Sequence, residues 1–351
     1  MKRSLMFLSA LLIMATMMPH AAHALENDGS FNLITSPLPI NLAAKPGTTL
    51  TADIRIKNGG TKPETLKATL MKFTAYGEEG KPGLADREAG DDYFDWVSFS
   101  PSVFDAPPNE WITVKMTIAL PNTAAFGYYY AAVFSRSSEP TTPKDKQNVI
   151  VGSTAVLVLV DAQVPNARRE AIIKSFTADK KSYEFLPARF TIKIKNKGNV
   201  HLVPLGNIFI SRGGKNVATL SINSASGNVL PDSNRIFTAD WKDGFPVYVD
   251  KEEGGKVLLG KDGKPEASLK WEMSKLPKLR FGRYTAKLLL VYDDGTRDVP
   301  LEANVSFWVI PWRIIGGTAL ALLLVVTGLW SNIRKIYLKL KVWRKKHAKT
   351  I

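Results

Sequence analysis

Cysteine is absent from all 351 residues. This excludes disulfides, cysteine nucleophiles and thiolate metal sites, and leaves stability to core burial. An ectodomain without disulfides fits an exported bacterial protein. Histidine is nearly absent too: His20, His23, His201 and His347 are the full set. Two of these fall in the N-terminal apolar segment and one in the C-terminal basic segment, so His201 stands alone between them. Zinc sites needing several imidazoles are thereby excluded. A Ser-His-Asp triad would have to be built on His201, within Asn199-Val200-His201-Leu202-Val203, which reads as a strand edge. No phosphate loop, dinucleotide fingerprint or EF-hand spacing occurs.

Charge is absent from Ile314 to Ile333, and acid is absent from everything after it. Twenty residues at about 1.5 Å each give roughly 30 Å of helix, the thickness of bilayer hydrocarbon. Trp308 and Trp312 precede the run and Trp330 lies near its end, as interfacial rings do. Arg334, Lys335, Lys339, Lys341, Arg344, Lys345, Lys346 and Lys349 follow. Positive residues stay in the cytoplasm, which places residues 334–351 inside as a basic tail and the chain before Arg313 outside.

At the other end, Lys2 and Arg3 precede the apolar run Leu5 to Met18, and Ala22-His23-Ala24 has the small-x-small form of a cleavage site. Residues 1–24 therefore read as a removable signal peptide, with an uncleaved anchor as the rival. The result is a single-pass membrane protein with extracytoplasmic N-terminal domains. The formal charge of +15 now loses its suggestion of nucleic acid. Of 47 basic residues the signal holds two and the tail eight, so the exported part exceeds its 32 acids by only about five. The excess serves topology and attraction to anionic lipid.

The exported region alternates apolar and polar residues with period two. Leu50–Ile56, Trp111–Ile118, Phe190–Ile194 and Ala286–Tyr292 are the clearest strands. Asn58-Gly59-Gly60, Arg212-Gly213-Gly214, Asp262-Gly263 and Asp293-Asp294-Gly295 supply turns, and Pro107-Pro108 marks a strand boundary. Two segments recur in order. Ile54-Arg55-Ile56-Lys57-Asn58-Gly59-Gly60 returns as Ile192-Lys193-Ile194-Lys195-Asn196-Lys197-Gly198, and Phe126-Gly127-Tyr128-Tyr129 as Phe281-Gly282-Arg283-Tyr284. Two copies of one module follow, spanning 27–164 and 165–307, the second with an insertion around Asp243–Lys270. The fold class is all-β: two immunoglobulin-like β-sandwich domains plus one C-terminal transmembrane α-helix over 314–333. In the repeat, asparagine then glycine is expected to supply a left-handed turn, and Phe-Gly-x-Tyr to open a late strand with tyrosine at a sheet corner.

Carboxylates and aromatics are the remaining candidates for chemistry. Asp91-Asp92 with Asp95, and Asp293-Asp294, offer oxygen ligands for calcium, but turn formation explains them better. Tyr128-Tyr129-Tyr130 must place rings on both faces of a strand, and Trp96, Phe99 and Phe104 cluster after the acidic loop. Such rings stack on sugar or fill a core, and core is favoured. No cofactor, metal or catalytic residue is assigned, and no ligand-binding residue is named.

Pro46-Gly47-Thr48-Thr49-Leu50, Pro107-Pro108-Asn109-Glu110-Trp111, Leu120-Pro121 and Phe126-Gly127-Tyr128 together resemble the first module of bacterial WxL-interacting surface proteins. The order of signal, two sandwiches, membrane helix and basic tail is similar to that family. The resemblance implies peptidoglycan binding by the first domain and host or partner proteins for the second. The expected role is thus a non-enzymatic, membrane-anchored surface protein binding cell-wall polymer or another surface protein. The alternative is an extracytoplasmic assembly scaffold or chaperone using β-strand addition, and a carboxylate-dependent glycan hydrolase is the distant third. The neighbours expected are lipid bilayer and wall polymer or protein, not nucleic acid.

Overall fold

The computed structural model describes residues 31–138, 153–261, 263 and 265–347. The signal segment 1–24 with its cleavage pattern lies outside them. The chain divides into two compact units, one of Met1–Phe73, Leu84–Ala124 and Tyr128–Val160, the other of Thr74–Gly83, Ala125–Gly127 and Asp161–Ile351.

The first sandwich uses β1 (Leu33–Ser36), β2 (Ile40–Ala44), β3 (Thr49–Asn58), β4 (Glu64–Tyr76), β5 (Lys81–Ala85), β6 (Val97–Ser100), β7 (Val103–Ala106), β8 (Trp111–Ala119), β9 (Phe126–Arg136) and β10 (Ser153–Ala162). One sheet has the order β1-β3-β8-β6; the other runs β2-β10-β9-β4-β5, with β7 also on β4. Alternation decides the inner faces. Ile54 and Ile56 of β3 and Val114, Met116 and Ile118 of β8 are buried on one side. Tyr130, Ala132 and Phe134 of β9 and Val156, Val158 and Val160 of β10 are buried on the other. Phe99 of β6 meets Phe134 edge to face at 6.4 Å, joining the two sheets. Each buried Val, Ile, Met or Phe among these contributes about 1.5–3 kcal/mol of transfer free energy.

The second sandwich repeats this plan with β11 (Ala171–Ala178), β12 (Ser182–Tyr183), β13 (Ala188–Asn196), β14 (Leu205–Arg212), β15 (Lys215–Ile222) and β16 (Asn234–Trp241). After the short strands β17 (Val247–Asp250), β18 (Glu252–Glu253), β19 (Lys256–Val257) and β20 (Ala267–Lys270) come β21 (Gly282–Asp293) and β22 (Asp298–Val309). The sheets are β11-β13-β16 and β12-β22-β21-β14-β15. In both units the first strand is broken, its two halves serving opposite sheets of the sandwich. In the first unit the break holds Pro37 and Pro39, which have no N–H to give to a ladder. The insertion lies between β16 and β21, in residues 242–281.

Two details of the repeat differ from the sequence reading. Neither Asn58 nor Asn196, nor the glycines after them, has positive φ. The asparagine side chains make the turn instead. Asn58 Nδ2 donates to the carbonyls of Lys62 (2.7 Å) and Ala106 (2.9 Å), and its Oδ1 accepts from Gly60 N–H at 2.9 Å. Asn196 does the same with Val200 (2.8 Å), Val229 (2.9 Å) and Gly198 N–H (2.7 Å). Both are buried, so each satisfies backbone groups that water cannot reach. Gly198 is needed for space, because a Cβ there would run into the Arg168 backbone. Second, the Phe-Gly alignment is one residue out of phase. Tyr284 points into the core against Trp241 and Phe307, whereas Tyr129 points away from it and the inward ring is Tyr130. The matching unit is Tyr-x-Ala: Tyr130-Ala131-Ala132 and Tyr284-Thr285-Ala286.

The C-terminal helix α1 (Trp312–His347) starts two residues before the expected 314 and continues past 333 through the lysine-rich segment. Lysine, arginine and leucine are good helix formers, and no proline or glycine follows Gly328 to stop it. Its stretch Trp312–Leu340 is long and apolar enough to cross a membrane, with none of its apolar window buried against protein.

Candidate protein-docking edge

The sequence-derived candidates separate cleanly. Lys72 Nζ lies 3.1 Å from Glu88 and 3.1 Å from Asp91. The Glu88 N–H, then Lys72, hold the Asp91 carboxyl below its ordinary range. Arg87 clasps Asp95 through two bonds of 2.5 and 2.6 Å. Asp294 accepts from the Thr296 hydroxyl (2.6 Å) and from the N–H groups of Thr296 and Arg297, and its pKa falls to about 2. Asp293 accepts from Gly295 N–H. These carboxylates are consumed by lysine, arginine and turn backbone, and no cluster of three metal-ligating side chains occurs among the described residues.

His201 sits in the loop before Leu202, and burial followed by the Arg169 charge lowers its pKa to about 4. Arg169 itself is ion-paired with the buried Asp161. The half-buried imidazole is thus held neutral beside a guanidinium. The aromatics divide by face. Tyr130 donates its hydroxyl to the Tyr93 carbonyl at 3.1 Å, and burial raises Tyr93 to about 12. Tyr128 joins Tyr93 and Trp96 at ring distances of 5.5 and 4.8 Å. Phe104 and Phe99 flank Phe134. Tyr129 alone of the three tyrosines turns to the outer face, against Phe73.

That outer face carries an unexpected feature. Met71, Ala131 and Val133 form a second apolar cluster there, packed by half-buried Phe73, Leu84, Ala155 and Leu157. The buried Ser135 hydroxyl on this side has no hydrogen-bond partner among the described residues. β10 therefore presents apolar side chains in both directions: Val156, Val158 and Val160 inward, Ala155, Leu157 and Leu159 outward. Along its free side runs only β2, which has five residues to the ten of β10. β2 is thus too short to pair with β10 along its whole length.

β22 occupies the equivalent place in the second sandwich and shows how such an edge is ordinarily blunted. β12 pairs with it only at Trp308 and Val309. The remainder carries Asp298, Pro300 and Glu302, all exposed. Charge and proline on an edge deter further pairing. Between Ser153 and Val160, β10 has neither. The signal for this was in the sequence: Ala155-Val156-Leu157-Val158-Leu159-Val160 does not alternate, as a strand with water on one face should.

No protein-family model and no curated protein matches the sequence. Among solved structures the chain is similar to the CsuC-CsuE chaperone–tip adhesion subunit pre-assembly complex of Acinetobacter baumannii. The identity is 12%, over 77% of this chain and 97% of that one, at a TM-score of 0.35. It is also similar to the class 5 fimbriae chaperone CfaA (14%, covering 69% and 100%, TM-score 0.34). The E. coli chaperone DraB is a third (11%, covering 78% and 98%, TM-score 0.31). Such scores give no residue-level correspondence.

Proposed function

We propose that the protein is a membrane-anchored extracytoplasmic assembly scaffold that receives an extended segment of a partner protein along β10. The carrying observation is the contrast between two equivalent strands with short outer partners: β22 is blunted by Asp298, Pro300 and Glu302, while β10 beyond the five-residue β2 has no charge or proline before Asp161 and is apolar on both faces. A strand added to β10 would gain main-chain hydrogen bonds and find apolar neighbours for alternate side chains above and below. The partner segment is therefore an apolar, β-forming stretch of another exported protein. α1 is the tether in this reading, and the basic residues after Ile333 support a cytoplasmic C-terminus. The likeness to pilus chaperones is too coarse to support this; the edge is the ground for it. Wall-polymer binding, the first expectation from sequence, gains no site here.

Leu157→Lys tests the proposal. It puts an ammonium on the outer side of the edge without touching the inner core. Capture of a defined protein from detergent-solubilised membranes should be lost in this variant and kept in Asn304→Lys on β22. Equal capture by both variants would refute the assignment of the edge.

A further inference from the structure

The second unit exposes a shelf of large apolar side chains in the insertion just before β21. Trp271, Met273, Leu276 and Phe281 are half to two-thirds exposed, and the 3-10 turn Met273–Lys278 buries none of its residues. The shelf is held in place from beneath. Trp271 packs edge-on against Phe245 at 5.7 Å, Lys278 O accepts from Phe245 N–H at 3.1 Å, and Arg280 and Lys278 grip Asp243.

Its position is what gives it meaning. Gly282 pairs with Val309 and Arg283 with Trp308, so Phe281 stands at the end of the sheet where β22 leaves for α1. Trp308 and Trp312 are themselves about half exposed there. The junction has no slack. Ile310 N–H donates to Tyr183 O at 2.7 Å, and Arg313, in the first turn of α1, lies 3.3 Å from the Glu184 carboxylate. From Lys270 through Arg283, both included, there are five basic residues and one acid.

We infer that this shelf docks into an anionic lipid surface and seats the second sandwich on the membrane. The inference rests on the reading of α1 as a membrane anchor. A helix entering the bilayer at Trp312 puts the headgroup layer within a few residues of Phe281. Aromatic and aliphatic side chains would then insert while lysine and arginine stems snorkel to phosphate.

The absence of native cysteine permits single reporters on the full chain. Leu276→Cys, Arg297→Cys in the β21–β22 turn at the opposite end of the sheet and Leu324→Cys in α1 would each carry an environment-sensitive fluorophore. The three proteins are reconstituted into phosphatidylcholine–phosphatidylglycerol vesicles containing shallow or deep nitroxide lipids. The expected result is shallow quenching at 276 several-fold above that at 297, deep quenching at 324, and a drop at 276 alone when phosphatidylglycerol is omitted. Deep quenching at 324 with 276 no more quenched than 297 overturns the docking inference and leaves the anchor intact. A reporter at 276 that is shielded only by a co-purifying protein overturns it equally. Loss of quenching at 324 removes the anchor reading and the docking inference with it.

Discussion

Replacing Asn196 by alanine removes three hydrogen bonds at once from the interior of the second sandwich. The amide gives 2.8 and 2.9 Å bonds to Val200 O and Val229 O and takes one of 2.7 Å from Gly198 N–H. At about 1 kcal/mol net per bond the loss is about 3 kcal/mol, and more if the freed backbone groups stay dry. With a urea slope of about 2 kcal/mol/M, the midpoint falls by about 1.5 M. Asn196→Asp keeps the acceptor for Gly198 but turns a carboxylate on two carbonyls, so it should lose at least as much. Hydrogen exchange of the full chain in graded urea reads this locally, with peptides from β13 reporting the second sandwich and those from β3 the first. Midpoint shifts in β13 below about 0.5 M for both variants would refute the asparagine as the turn's structural centre.

Three further outcomes follow from the same geometry. Because the folded pKa of His201 is about 4 against 6.5 for the free residue, the unfolded chain takes up the proton first. Stability conferred by the neutral imidazole is complete above pH 6.5 and falls by up to about 3 kcal/mol on acidification to pH 4. His201→Gln should flatten that slope in β13 peptides, and an unchanged slope would contradict it. Gly206→Ala should cost more than about 2 kcal/mol, since its Cβ would meet the Leu289 and Leu290 backbone across the β14–β21 ladder. A thermal melt within a degree of the parent would show that the ladder can spread. Asp91→Asn should spare the first sandwich part of its loss of stability below about pH 4, because Asp91 is held ionised in the folded state and must protonate there. Acid titration followed by β4 peptides measures this, and identical acid midpoints would rule it out.

The fold was largely legible in the residues. Period-two runs located β3, β8, β13 and β21, and the recurring Ile-x-Ile-Lys-Asn segment marked the same strand of each sandwich. Its mechanism was not legible, because the partners of Asn58 and Asn196 include carbonyls 48 and 33 residues away. The phase of the second repeat was missed for a related reason. Adjacent tyrosines at 128–130 let a match slip by one residue, and in a strand one residue exchanges the faces. The helix extended further than its apolar run, since charge sets membrane depth while helix propensity sets length. The candidate edge carries no titratable group to mark it. β10 has no charged residue before Asp161, and only comparison with β22 shows that lack to be unusual.

The central claim is that β10 accepts a partner strand. A photo-crosslinking residue walked singly through positions 153–158 of the full chain, in intact producing cells, tests it most directly. The account predicts cross-links to one segment of one exported protein, strong and weak at alternate positions as a paired strand requires, with none from matching positions 300–305 on β22. Capture of no protein from β10, or equal capture from both strands without alternation, would contradict it.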